Sequence, residues 1–128
     1  MSVRMGWGDA DQSYIYVQFM GNWTWNEFYQ VQRGISGMID SSSRPVVSVM
    51  MNFADTHHVP PRPLNHMLSM GKTWHRRCDM LVMTGMPPEL SRFVNMMLTH
   101  FPRLRDCIRM TDTHRHATDE LNEDRAFS

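Results

Sequence analysis

The densest run of reactive side chains lies between Asn52 and Pro63, Asn-Phe-Ala-Asp-Thr-His-His-Val-Pro-Pro-Arg-Pro. Asp55, Thr56, His57, His58 and Arg62 place a carboxylate, a hydroxyl, two imidazoles and a guanidinium on one connection. A connection that leaves a buried strand and enters a helix sits where open α/β sheets hold ligands, because the helix start presents free amides. Loop 54–62 and the start of the following helix are therefore the candidate partner-binding surface. Backbone amides and apolar contacts would supply affinity there, with Arg62 and the His pair tuning charge. Protonation of His57 and His58 would make such binding sensitive to pH between about 5 and 8. A plainer role for Asp55 and Thr56 is a local side-chain-stabilised turn.

The seven histidines raise the question of a metal. His57, His58, His66, His114 and His116 could supply neutral imidazoles to Zn²⁺ or Ni²⁺ if the end of the chain folded back over the loop. Adjacent histidines usually diverge, however, and no HExxH or carboxylate-anchored set accompanies them. Solvated surface histidines are the more economical explanation, and no metal site is expected. Cys78 and Cys107 are 29 positions apart with no CxxC, so two reduced thiols are expected rather than a zinc knuckle, a redox pair or a disulfide. There is no Gly-x-Ser-x-Gly and no phosphate-cradling glycine loop, Gly6-Trp-Gly8 being too short and following no strand. The sequence thus implies no catalytic residue and no cofactor.

A second candidate site is apolar. The chain has 14 Met but only 7 Leu, and most of the Met occupy positions that Leu would normally fill. Core filling explains this at little cost, since Leu-to-Met exchange nearly conserves volume. The alternative is a deformable pocket in which Trp23, Trp25, Trp74, Met67 and Met70 receive an apolar small molecule or lipid. For Trp23 a structural use competes directly: it precedes a helix cap and can staple onto Phe28.

The elements that must position these residues follow from periodicity. Ser13–Phe19 reads as a strand and Val46–Phe53 as a strand buried on both faces, with shorter ones at Met80–Thr84 and Ile108–Met110. Thr24 and Glu27 form a capping box that starts a helix at Trp25, and Asp40 to Ser43 stop it. Pro63 opens a second helix, 63–77, with Gly71 on its apolar stripe for close approach to the sheet. Leu90 to Phe101 carry the cleanest helical stripe, and 113–124 a weaker one. Alternating elements of this kind demand a parallel sheet with right-handed crossovers. The expectation is a single α/β domain over 13–124, a four-turn β-α superhelix on a mostly parallel four-stranded sheet, with residues 1–12 as an N-terminal segment and 125–128 as a frayed tail.

With 128 residues, 13 basic against 13 acidic groups and no Lys/Arg block, the chain lacks the basic face a nucleic-acid binder needs. No apolar run approaches the roughly 20 residues that span a bilayer, so no integral membrane segment is expected. The N-terminus has no signal-peptide h-region, which suggests the cytoplasm.

The element order, and the phrase Gly21-Asn-Trp-Thr-Trp-Asn-Glu-Phe28 followed by a helix and the buried strand, resemble the STAS/SpoIIAA-like superfamily, relatives of anti-sigma-factor antagonists, over residues 13 to 124. The resemblance implies strands side by side with packed helices, and a non-enzymatic regulatory module that binds a protein partner or a second copy of itself. In the related lipid-binding branch it implies an apolar ligand. It also implies a phosphorylated Ser or Thr in the turn after the buried strand, within an Asp-Ser-Ser-Gly-type motif. That motif is absent here. Asp55-Thr56 is its only remnant, and the Pro60-Pro61-Arg62-Pro63 run separates it from the helix.

Overall fold

The computed structural model describes residues 2–111 and Leu121. Five strands, β1 (Val3–Trp7), β2 (Tyr14–Gly21), β3 (Val47–Thr56), β4 (Cys78–Thr84) and β5 (Ile108–Thr111), form one sheet in sequential order. Three helices, α1 (Trp25–Ser41), α2 (Pro63–Lys72) and α3 (Pro88–His100), and a 3₁₀ turn at Pro102–Asp106 connect them. β3 lies between β2 and β4, parallel to both, as the reading of 46–53 required. β5 is also parallel to its neighbour. Among the described residues no helix is long and apolar enough to cross a membrane.

The sheet has five strands, not four. Val3–Trp7, assigned from sequence to a segment ahead of the domain, pairs antiparallel with β2, Val3 opposite Phe19 and Trp7 opposite Ile15. Its Val-Arg-Met-Gly-Trp run alternates, Val3, Met5 and Trp7 sharing one face, but it is only five residues long, contains Gly6 and leaves Arg4 and Met5 exposed on the sheet edge, so its signal is short. Gly8 N–H closes the hairpin onto the Tyr14 carbonyl at 2.9 Å.

Sequential order with right-handed crossovers puts α1, α2 and α3 on the same face. Strand alternation then divides the sheet. Ile15, Val17, Phe19, Val49, Met51, Phe53, Leu81 and Met83 face the helices and join Phe28, Val31, Met67 and Val94 in the main core. Met50, Met80 and Val82 point the other way and are covered by Leu121, with Tyr14 and Tyr16 packed at the margin. Two-sided burial explains why β3 reads as an almost unbroken apolar run.

The start of α1 is as its sequence dictates. Thr24 Oγ1 accepts the Glu27 amide at 3.2 Å, and Glu27 Oε1 accepts the Thr24 amide at 3.1 Å. Trp23 is buried, with its ring centroid 6.2 Å from that of Phe28, so it serves as the staple. α2 ends at Lys72, not residue 77: the Thr73 amide caps it on Ser69, and Trp74 turns back to donate Nε1–H to the Cys78 carbonyl at 3.1 Å. Gly71 brings α2 close to α3 instead of the sheet. A Cβ there would lie 2.6 Å from Phe101 and 3.0 Å from Met97. The segment 113–124, with His114 and His116, and the tail 125–128 lie outside the described residues, Leu121 excepted.

Candidate functional site

β3 runs three residues beyond the expected end at Phe53, because an irregularity opposite Gln18–Met20 lets Asp55 pair with Met20 and Thr56 with Gly21. Asp55 and Thr56 are thus strand residues, and the connection proper is 57–62. Gln18 Nε2 donates to Asp55 at 2.8 Å. Trp23 Nε1 donates to Thr56 Oγ1 at 3.0 Å, and Trp25 Nε1 to the Pro61 carbonyl at 2.7 Å. His57, His58 and Arg62 are exposed, and Arg62 enters α2 in the left-handed region at φ 60° without a side-chain cap. The two tryptophans and Pro60–Pro61 border a shallow hollow of about 390 Å³ beside this loop.

A larger space opens between α1 and α2. α2 packs on α3 through Gly71, and the space between α1 and α2 lies above the middle of the sheet, where Val49, Met51 and Leu81 are themselves almost fully buried. This cleft has a volume of about 570 Å³, within the range of small-molecule sites. Val49 and Met51 from β3, Leu81 from β4 and Ile35 from α1 give it an apolar floor. At 3.6 residues per turn, Tyr29, Arg33, Ser36 and Asp40 fall on one flank of α1 and form one wall. Ser69, Thr73 and Trp74 form the opposite one.

Two side-chain pairs tie these walls together. At one end the Tyr29 hydroxyl bonds His66 Nδ1 at 2.5 Å, and the His66 ring stacks on Trp25 at 4.4 Å. At the other, His75 Nε2 donates to Asp40 at 2.8 Å while His75 Nδ1 accepts the Arg77 amide at 3.1 Å. These partners assign the neutral Nε2–H tautomer to His75. Tyr29 and Asp40 are eleven residues apart on α1, so the opening between the ties is about 16 Å long.

Burial pushes the His66 imidazole below its ordinary value of 6.5, favouring the neutral ring that accepts the tyrosine proton. The unfolded chain therefore binds more protons than the folded one between the lowered value and 6.5. Stability contributed here is complete above 6.5 and is lost as pH falls below it. Thermal melts from about pH 7.5 to about pH 5 should show a smaller decline in His66→Phe, which keeps the stacked ring without its proton, than in the wild type. Parallel declines would contradict this assignment.

Of the residues singled out as an apolar site, Trp74 borders the cleft, while Trp23, Trp25, Met67 and Met70 are buried in the core. Cys78 lines the cleft, and burial, reinforced by Asp79, pushes its thiol up to about 12. Both cysteines are free. Among the described residues no three His, Cys, Asp or Glu side chains are grouped to hold a metal ion. The α1 wall was missed because Tyr29, Arg33, Ser36 and Asp40 read as an ordinary solvated flank. The signal available was the pair Gly34 and Gly37 in an amphipathic helix. Gly34 makes room for Met5 of β1, whereas Gly37 borders the cleft with nothing within 4 Å of a Cβ built on it.

No protein-family model matches the chain, and no curated protein matches it in sequence. In structure it is similar to an uncharacterized protein of the DUF3478 family from Shewanella loihica PV-4, described as having a SpoIIAA-like fold. The TM-score is 0.63 at 11% identity, over 94% of this chain and 93% of the other. Five strands in sequential order with three helices on one face, together with that likeness, identify the protein as an α/β domain of the SpoIIAA-like fold.

Proposed function

We propose that the protein is a non-enzymatic, STAS-like binding module that holds an apolar small molecule in the cleft between α1 and α2. The observation that carries this reading is the cleft itself, about 570 Å³ of space directly over Val49, Met51 and Leu81 at the centre of the sheet. An apolar chain lying against this floor and the flanking Ile35 and Trp74 would be desolvated there, which draws on the hydrophobic effect. Cys78, the cysteine of the cleft, is held as a thiol, which suits a binding floor better than a reactive one. Calorimetric titration with decanol, a neutral chain shorter than the opening, is expected to give saturable binding at one site per chain. Heats that never saturate would overturn the reading.

A second reading, recognition of a protein partner or another copy of the chain, is supported by loop 57–62. His57, His58 and Arg62 are exposed on a backbone held by His57 N–H on the Gly21 carbonyl at 2.8 Å and by the two tryptophan bonds. A loop fixed in this way loses little entropy on docking. Native mass spectrometry separates the two readings: a dimer without bound ligand favours the loop, and a monomer carrying a small molecule favours the cleft.

A further inference from the structure

We infer that the ligand of this cleft is an amphipathic acid, its chain over the sheet and its carboxylate at Arg33; the inference rests on the cleft reading and specifies its ligand. The walls carry one cation and one carboxylate, apart from His75. Asp40 stands at the end of the opening, where one of its oxygens accepts from His75 at 2.8 Å. Arg33 stands between the two ties, exposed on the outer edge of the α1 wall, and among the described residues it has neither an ion pair nor a hydrogen bond. Its guanidinium offers a planar fork of donors that matches a carboxylate bidentately. The floor beneath it is apolar, through Ile35, Val49, Met51 and Leu81.

This arrangement gives a ligand two distinct ends. A chain lying over Val49 and Met51 has an opening of about 16 Å in which to extend, and a polar end emerging past Ser36 meets Arg33 before bulk water. The order of affinity follows as acid above alcohol.

The test titrates the full chain with decanoate and decanol at neutral pH and low salt. Decanoate is expected to bind about fivefold more tightly than decanol, a preference that shrinks as salt is added. Arg33→Gln should remove that preference, weakening decanoate more than decanol. Arg76→Gln, which changes an exposed arginine outside the cleft, should keep it. Equal binding of acid and alcohol by the wild type, or an unchanged preference in Arg33→Gln, overturns the assignment of the head group and leaves the cleft as an apolar site. Failure of both ligands to bind overturns the cleft reading, and this inference with it.

Discussion

Replacing Trp23 with alanine is expected to lower folding stability by about 3–5 kcal/mol, measured by urea unfolding. The ring is 2% exposed and lies among Phe19, Trp25, Phe28 and Phe53, with centroids 5.0 to 6.2 Å away. Its removal leaves a cavity between β2, β3 and the first turn of α1. It also takes away the donor to Thr56 Oγ1, and so loosens the end of β3 from the helix start. Domains of this size are stable by only about 5–15 kcal/mol, so the variant should approach the threshold of folding. A loss below about 1 kcal/mol would mean that the aromatic cluster repacks and that Trp23 is not the staple described above.

Ser36→Phe is expected to leave the protein folded, with an equal or higher melting temperature, and to weaken decanol binding by about tenfold or more. Ser36 is half-buried at the middle of the α1 wall, where a longer side chain reaches over Ile35, Val49 and Leu81. A phenylalanine there takes the place of the ligand, and burying it contributes up to about 1.5–3 kcal/mol. This combination of retained stability and lost binding distinguishes a filled cleft from a damaged fold. Wild-type affinity in Ser36→Phe would exclude the space between α1 and α2 as the binding site.

The sequence carried the architecture where local chemistry and burial agree. Thr24 and Glu27 mark the start of α1, the unbroken apolar run of β3 marks a central parallel strand, and the stripe from Leu90 onward marks α3. Element boundaries were less legible wherever pairing partners decide them. β1 is a strand because β2 offers it an edge, and Asp55 and Thr56 extend β3 because Met20 and Gly21 pair with them. Trp74 leaves α2 because its indole finds the Cys78 carbonyl. The cleft was hidden for a related reason. Its floor residues read as core in any sequence, and its walls come from α1 and from the end of α2 with the residues after it, which only the folded chain brings together.

Chemical-shift mapping of the decanol complex tests most directly whether a ligand occupies the space between α1 and α2. The amides of Val49, Met51 and Leu81 and the indole N–H of Trp74 are expected to move together and saturate with one affinity. Shifts confined to Asn22–Asn26 and His58–Pro61, around the hollow beside the loop, would contradict the account.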